Sequence, residues 1–262
     1  MMTNGPGHRR GARDRASLCA IAIMAKESRP GLCKTRLVPP LDPAEAAAIN
    51  TCFLRDVAAN VVAASASAPV QGVAAYHPPG SEAFFESILP EGFILLPPRE
   101  PGIGRSLLHA ARDLLAAGFG SVCLVNSDSP TLPTRYLVEA VRLLRRPGER
   151  VVLGPSADGG YYLIGIKGFH ARLFEDIAWS TGRVLAQSLE RAAGIGLEAA
   201  LLPGWYDVDD APCLERLRRE LSGAGDEAEE GYAAPHTRAW LDIAGPGEIP
   251  VARTVSAPGR PA

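Results

Sequence analysis

The sequence predicts a three-layer α/β/α protein, in which helices cover both faces of one mixed, mainly parallel β-sheet. Apolar segments of strand length alternate along the chain with longer amphipathic segments of helical period, the order expected when helices connect parallel strands. The chain has 262 residues, of which 47% are hydrophobic and 21% charged, enough to bury one large core. One domain is therefore expected.

The predicted elements follow from this alternation. Seven strands are predicted at residues 18–24, 70–75, 93–96, 121–126, 151–153, 161–166 and 197–202. Five helices are predicted at residues 43–64, 105–117, 134–144, 182–193 and 212–221. The start of the first helix is well marked, because Asp42 precedes Pro43 and Glu45 follows in the first turn.

The two ends of the chain differ in composition from the part between them. Residues 1–16 are rich in Gly and Arg without an apolar period, which predicts a disordered lead before a domain spanning residues 17–221. From residue 222 to 262 the composition shifts to Gly, Pro, Glu and Ala, which predicts a weakly ordered tail. One short docking segment is expected within that tail, at Trp240, Leu241 and Ile243.

The net charge and the cysteines of the chain limit which partners and which cellular compartment are expected for it. The formal net charge is -2 and the pI is about 6.2, so the chain as a whole has no attraction for nucleic acid or acidic membranes. No stretch reaches the roughly 18 to 20 apolar residues of a membrane span. The five cysteines are scattered and form no Cys-x-x-Cys pair, which is typical of reduced thiols in a cytoplasmic protein.

The loop after the first predicted strand carries four cations, namely Lys26, Arg29, Lys34 and Arg36. Ligands bind beyond the carboxyl ends of parallel strands, so a basic loop at this place is expected to bind an anion. A bend at Pro30 and Gly31 would let Lys34 and Arg36 point into one pocket, where both side chains suit a phosphate. The alternative is an ordinary solvated basic loop.

A carboxylate follows the strand predicted at 121–126. Asp128 stands between two serines and ahead of Pro130, at the carboxyl end of a central strand. Magnesium prefers a few carboxylates together with phosphate oxygens and water, so Asp128 is a candidate metal ligand facing the basic loop. The alternative is that Asp128 caps the helix at Thr134 or closes a turn.

A second group of carboxylates precedes the last predicted helix. Asp207 and Asp209 are two residues apart, so an extended backbone would send both side chains to the same side. If that side faces Asp128, the two segments complete one divalent-ion site. If it does not, Asp209 or Asp210 merely caps the helix.

A glycine-containing segment lies between these carboxylates. Gly159 and Gly160 allow the backbone to approach a ligand closely, and Asp158 is an acceptor for a hydroxyl group or a candidate base. Asp-Gly-Gly is also a good turn for a hairpin between two strands. The turn and the site are compatible with one another.

Taken together, these segments resemble a family of small, glycosyltransferase-like bacterial proteins with the nucleotide-diphospho-sugar transferase (GT-A) fold. They are more distantly similar to 2-phospho-L-lactate guanylyltransferase and the molybdenum cofactor guanylyltransferases. The resemblance covers most of the chain between its two ends. The matching motifs are Met24-Ala25-Lys26, Pro30-Gly31, Lys34-Thr35-Arg36-Leu37, Ser127-Asp128-Ser129-Pro130, Gly154-Pro155, Asp158-Gly159-Gly160-Tyr161-Tyr162-Leu163-Ile164-Gly165, Trp179-Ser180-Thr181 and Asp207-Val208-Asp209.

The resemblance implies a role for each motif. The implied nucleotide-binding residues are Lys26, Lys34, Thr35, Arg36, Gly102 and Gly104. The implied metal ligands, for Mg²⁺ or Mn²⁺, are Asp128, Asp209 and Asp207. The implied acceptor-binding residues are Asp158, Gly159, Gly160, Trp179, Ser180 and Thr181. Within these sets, Lys34, Arg36, Asp128 and Asp158 are the expected catalytic residues.

The expected activity is transfer of a nucleoside monophosphate from a nucleoside triphosphate to a small phosphorylated or carboxylated acceptor, with release of pyrophosphate. The first alternative is a glycosyltransferase that uses a nucleotide-sugar. It is disfavoured because Ser129 and Pro130 follow Asp128, where an Asp-x-Asp pair would be expected. The second alternative is a non-catalytic nucleotide-binding protein.

Overall fold

The computed structural model describes residues 14–224 and 230–244, and within them one seven-stranded sheet has the order β3-β2-β1-β4-β6-β5-β7. The strands are Cys19–Lys26 (β1), Val70–His77 (β2), Ile94–Leu96 (β3), Ser121–Val125 (β4), Arg150–Pro155 (β5), Tyr161–Ile166 (β6) and Glu198–Leu201 (β7). Strand β6 pairs antiparallel with both β4 and β5, and the other pairings are parallel. The predicted mixed, mainly parallel sheet is confirmed.

Helices cover both faces of this sheet. Their bounds are Pro43–Ala64 (α1), Glu82–Ile88 (α2), Ile103–Ala116 (α3), Thr134–Arg145 (α4), Val184–Gly194 (α5), Ala211–Leu221 (α6) and Pro235–Ala244 (α7). Helices α1 and α4 belong to one core cluster, and helix α3 belongs to the other. Strand β1 shows how the sheet serves both clusters, because Ile21 and Ile23 face the first and Ala20 and Ala22 face the second. No helix in the described part of the chain combines the length and apolar composition that a bilayer crossing requires.

One edge of the sheet, the one at which the parallel strands end, collects the loops that follow or precede its seven strands. The parallel strands, β5 included, end at this edge, and the antiparallel strand β6 begins there at Tyr161. The turn between β5 and β6 therefore lies beside the loops that follow β1 and β4. This edge carries the residues that the sequence marked out.

Helix α1 begins and ends at the predicted residues. The side chain of Asp42 accepts hydrogen bonds from the backbone N–H groups of Ala44 and Glu45, and the Glu45 side chain accepts one from the Asp42 N–H. This reciprocal arrangement satisfies donors that the first turn leaves without intrahelical partners. Strand β6 also has the predicted bounds, and the other predicted strands and helices differ from the observed ones by at most two residues at either end.

Helices α2 and α7 were not predicted. Helix α7 lies in the segment predicted as a weakly ordered tail, yet Ala234, Thr237 and Leu241 are buried, so this part of the prediction was wrong. The expected docking segment is there, although Ile243 is 88% exposed. The predictions for residues 1–13, 225–229 and 245–262 lie outside the described residues.

Candidate functional site

The Lys34 ammonium group lies at the centre of the carboxyl edge, where three oxygen atoms converge on it. The Nζ atom is 2.8 Å from Asp128 Oδ1, 3.0 Å from Asp209 Oδ1 and 2.7 Å from the Val208 carbonyl oxygen. The separation of the two carboxylate oxygens is therefore at most the sum of the first two distances. The two aspartates predicted to lie together do so.

The residues around Lys34 bury its side chain and favour its charged form. Its side chain is only 6% exposed, and Nζ lies 5.7 Å from the centre of the Phe53 ring, which is fully buried beneath it. Burial by itself lowers the pKa of Lys34, but attraction by Asp128 and Asp209 outweighs it and leaves the pKa raised. The backbone of Lys34 has a φ of 48°, in the left-handed region that few non-glycine residues adopt.

Arg36 occupies the other oxygen of the same carboxylate. Its guanidinium forms an ion pair with Asp209 Oδ2, and its side chain is 68% exposed where that of Asp209 is 29% exposed. Asp209 thus contacts a cation through each of its two oxygens. Lys34 directs its three N–H donors at protein oxygens, so the exposed guanidinium of Arg36 is the better placed of the two to meet an incoming anion.

Neither Asp128 nor Asp209 serves as a helix cap. The cap of α6 is Asp210, whose side chain accepts a hydrogen bond of 3.0 Å from the Cys213 N–H. Helix α4 begins after Pro133 without a side-chain cap. The Asp128 carbonyl instead accepts a 2.8 Å hydrogen bond from the Val208 N–H, which joins the two carboxylate-bearing loops.

Asp207 has a different environment from its neighbours. It accepts a hydrogen bond of 2.6 Å from the Ser156 hydroxyl. Burial raises the pKa of Asp207, the Ser156 hydrogen bond opposes this, and the nearby charges of Asp158 and Asp209 raise it further. In the described parts of the chain, no three His, Cys, Asp or Glu side chains form a metal-binding group, so the expectation that Asp207 completes a set with Asp128 and Asp209 is not met.

The turn between β5 and β6 forms one rim of the site. Asp158 Oδ1 accepts a hydrogen bond of 2.8 Å from the Gly160 N–H, which closes the turn. Gly159 has a φ of 86°, and a Cβ atom there would collide with the carbonyl oxygen of Gly182. The segment forms the predicted hairpin turn, and Asp158 lines the cavity of the site.

Trp179 closes the rim on the other side. Its indole packs against the Cα of Gly104 at the start of α3, where any Cβ atom would overlap the ring. The Tyr161 ring meets it edge-on, with ring centres 6.5 Å apart. Ser180 and Thr181 follow along the same wall. The predicted acceptor residues are thus brought together.

Two adjoining cavities open at this edge. The acidic cavity, of about 650 Å³, is lined by Asp128, Asp158, Asp207, Asp209, Arg36 and Trp179 among others. The proline cavity, of about 620 Å³, is lined by Leu96, Pro97, Pro98, Gly102, Ser106 and His109 among others. Met24, Ile103 and Ser180 line both cavities, so a ligand larger than one cavity can extend across them.

The proline cavity contains a polar group that the sequence did not single out. His109 Nδ1 is shielded from solvent, and no described residue gives it a hydrogen bond. A buried ring nitrogen without a partner is uncommon and marks a place where a ligand can donate or accept. A single histidine within the period of a helix gives no signal of this in the sequence.

The remaining residues of the basic loop differ in their contacts. Lys26 lines the proline cavity and donates a hydrogen bond of 2.5 Å to the Leu32 carbonyl, and Arg29 pairs with Glu27 at 2.6 Å. Thr35 is exposed in a short 3-10 turn. Lys26 and Arg29 therefore have their partners within the loop itself.

The oxygen atoms around Lys34 Nζ suit a hard divalent cation. Two carboxylates and one carbonyl face a common point, and oxygen ligands are those that magnesium and manganese prefer. Lys34 Nζ occupies this point, so a divalent ion would bind Asp128 and Asp209 from the acidic cavity that both residues line. Two carboxylates beside space for water and phosphate oxygens fit the expected metal.

Comparison with known proteins gives a family match over part of the chain. Residues 60–181 match the model of a family described as an uncharacterized protein conserved in bacteria, DUF2064. No curated protein sequence matches the chain.

Two solved structures are similar over most of the chain. A protein of Desulfovibrio desulfuricans G20, described as a candidate nucleotide-diphospho-sugar transferase, is 26% identical with a TM-score of 0.71, covering 86% of this chain and 98% of that one. A CMP:2-keto-3-deoxy-manno-octonic acid synthetase complexed with CTP is 15% identical with a TM-score of 0.51, covering 79% of this chain and 99% of that one. The chain has the nucleotide-diphospho-sugar transferase fold, and the resemblance inferred from its motifs is confirmed.

Proposed function

We propose that the chain is a nucleotidyltransferase, which transfers a nucleoside monophosphate from a nucleoside triphosphate to a small phosphorylated or carboxylated acceptor. Mg²⁺ or Mn²⁺ would assist the transfer, and pyrophosphate would be released. The observation that carries the proposal is the pairing of Asp128 and Asp209 on Lys34 beside the acidic cavity, in a fold shared with a CTP-binding synthetase.

The nucleotide is expected to lie across both cavities. The proline cavity offers apolar walls at Leu96, Pro97 and Ile103, which suit the faces of a nucleobase. His109 also lines this cavity, and a turn of its ring would bring Nδ1, left without a partner by the described residues, to a hydrogen bond with the base edge. The triphosphate would then pass Met24 and reach the carboxylates of the acidic cavity.

The acidic cavity would accept a phosphate only together with added cations, because most of the charges that line it are negative. Asp128, Asp158, Asp207 and Asp209 line it, and Arg36 is the cation among its described lining residues. A divalent ion would supply charge that offsets the negative charge on the reacting phosphorus. Arg36 would bind the phosphates from the exposed side, and Lys34 would hold Asp128 and Asp209 together from beneath.

The reaction needs little covalent chemistry from the protein. An oxygen of the acceptor forms a bond to the α-phosphorus, and the bond from that phosphorus to the oxygen bridging to the β-phosphate breaks. The electron pair of that bond leaves with pyrophosphate. Asp158 and the wall of Trp179, Ser180 and Thr181 would orient the acceptor for this attack.

Glycosyl transfer from a nucleotide-sugar is the second candidate. It is favoured by the 26% identity to the Desulfovibrio protein, whose description names nucleotide-diphospho-sugar transfer. It is disfavoured because only one aspartate follows β4, in Asp128-Ser129-Pro130. The same carboxylates would then face the departing diphosphate. A nucleotide-binding protein without catalysis is the remaining alternative.

One assay separates the three. The purified chain with Mg²⁺ is incubated with each nucleoside triphosphate and a panel of phosphorylated and carboxylated acceptors, and pyrophosphate is measured. A parallel set contains nucleotide-sugars. Pyrophosphate release that depends on an acceptor supports the proposal. Consumption of a nucleotide-sugar alone selects glycosyl transfer, and nucleotide binding without turnover in either set selects the non-catalytic alternative.

A further inference from the structure

The two cations bound to Asp209 differ in how firmly they are held. Lys34 is 6% exposed and has three oxygen contacts and a ring beneath it. Arg36 is 68% exposed, and its ion-pair partner among the described residues is Asp209. An exposed ion pair such as that of Arg36 contributes little to stability and exchanges its partner readily. The buried pairs of Lys34 do not exchange readily.

We infer that Arg36 guards the metal position, and that nucleotide phosphates open it by taking the guanidinium away from Asp209. In the free protein, Arg36 covers Asp209 Oδ2 while Lys34 covers Oδ1. A divalent ion arriving alone meets a carboxylate whose two oxygens are both engaged with cations. The inference rests on the metal site and phosphate contact of the proposed function.

A triphosphate changes this balance in two ways. It carries several negative charges and matches the two-pronged geometry of a guanidinium, so it competes well with one half-exposed carboxylate for Arg36. Once Arg36 has moved, Asp209 Oδ2 has no cation on it and faces the acidic cavity. Metal binding and nucleotide binding then strengthen one another. The nucleotide holds Arg36 away from Asp209, and the metal occupies the carboxylate that Arg36 would otherwise contact.

Lys34 has a fixed part in this exchange. Its left-handed backbone, at φ 48°, and its three oxygen contacts keep Asp128 and Asp209 close together while Arg36 is away. Lys34 is therefore a positioning residue, and Arg36 is the movable one. This assigns different tasks to two cations that the sequence predicted to act alike.

The test measures Mn²⁺ and tripolyphosphate separately, without turnover. Arg36→Met removes the guanidinium at an exposed position, and is compared with wild type and with Arg172→Met, which removes a surface arginine paired with Asp176. Free Mn²⁺ is followed by electron paramagnetic resonance, and tripolyphosphate binding by calorimetry. Circular dichroism and the melting temperature check that each variant is folded.

The expected result is a pair of opposite changes. Arg36→Met binds Mn²⁺ tighter, by on the order of tenfold, and binds tripolyphosphate more weakly by a similar factor, the usual range of coupling between sites. Arg172→Met changes neither. Unchanged or weaker Mn²⁺ binding in Arg36→Met overturns the inference.

A double-mutant cycle fixes the origin of the effect. In an Asp209→Asn background, Arg36→Met should no longer tighten Mn²⁺ binding, because the carboxylate that Arg36 guards is gone. An equal gain in both backgrounds means that Arg36 acts only through general charge, and it rejects the guarding role. These measurements need no turnover, so they stand apart from the assay for pyrophosphate release, and either result can fail without the other.

Discussion

Asp56, buried in helix α1, accepts a hydrogen bond of 2.8 Å from the backbone N–H of Thr237 at the start of helix α7. Its other carboxylate oxygen accepts one of 3.0 Å from the His236 N–H. Ala234 precedes α7 and has no side chain that could cap it, so the cap is supplied from α1. The C-terminal helix is thereby attached to the core at one charged point.

Replacing Asp56 by Ala should loosen α7. Two N–H groups lose their acceptor, at a cost of about 1 to 3 kcal/mol for each buried donor left unsatisfied. Amide hydrogen exchange in Pro235–Ala244 should accelerate, while strands β1 and β4 keep their protection. Asp42→Ala is the control, because it removes the cap of α1 and should affect the first turn of that helix only. Unchanged exchange in α7 would contradict the anchoring role.

Asp56 should also give the stability of the chain a pH dependence. Burial raises the pKa of Asp56, although the hydrogen bonds from Thr237 and His236 oppose the change. Since the folded chain then holds this proton more tightly than the unfolded chain, the stabilisation is present below the ordinary pKa of aspartate and is lost as the pH rises through the raised value.

The measurement compares wild type with Asp56→Asn, which cannot titrate. The free energy of unfolding of wild type, relative to that of Asp56→Asn, should fall as the pH rises through the weakly acidic range. The two proteins share all other titrating groups, so Asp56 accounts for the change. A shift in favour of wild type would mean that the hydrogen bonds of His236 and Thr237 outweigh burial.

Asp128→Asn tests the metal site by activity. The amide keeps the shape of the side chain but loses the charge that faces Lys34 and the expected ion, so turnover should fall at least a hundredfold, comparable to the loss of one strong electrostatic contact in a transition state. The melting temperature should change little, because the amide oxygen can still accept a hydrogen bond from Lys34 and Asp209 still pairs with its charge. Asp176→Asn, an equal substitution beside Arg172, should leave activity unchanged. Full turnover in Asp128→Asn, or in excess EDTA, would remove metal-assisted transfer from consideration.

Much of the fold could be predicted because its signals are local. Asp42, Pro43 and Glu45 mark the start of α1 by side-chain chemistry alone, and the buried strands consist mostly of apolar residues. Helix α7 could not be predicted in this way. The N–H groups at its start donate to Asp56, a buried carboxylate about 180 residues earlier in the chain, and local composition gives no sign of that contact.

The candidate site shows the same division. Asp128, Asp158 and Asp209 could be predicted, since strand ends at one edge of a sheet must lie near one another. The separate environments of Lys34 and Arg36 could not, because burial by Phe53 and Val208 depends on tertiary packing. The contribution of the Val208 carbonyl has no side-chain signature at all.

Gly159→Ala should disturb the rim of the acidic cavity. The φ of 86° disfavours any side chain, and a Cβ atom would collide with the carbonyl oxygen of Gly182 in the facing loop. The expected loss is about 1 to 3 kcal/mol of stability, with a raised KM for the acceptor. Gly194→Ala is the matched control, since nothing lies near its Cβ position and its φ is unstrained. If the two variants behave alike, the contact between Gly159 and Gly182 does not constrain the site.

His109→Leu tests whether the proline cavity holds the nucleobase. The Nδ1 atom of His109 is shielded and has no hydrogen-bond partner among the described residues, so an apolar side chain of similar volume should leave the melting temperature unchanged or slightly raised. If the base lies there, affinity for the preferred nucleoside triphosphate should fall by about two- to tenfold, the value of one hydrogen bond to a neutral group. Tripolyphosphate, which has no base, should bind wild type and His109→Leu equally well in calorimetry. A loss shared by tripolyphosphate would mean that His109 acts through the fold, and an unchanged nucleotide affinity would put the base outside this cavity.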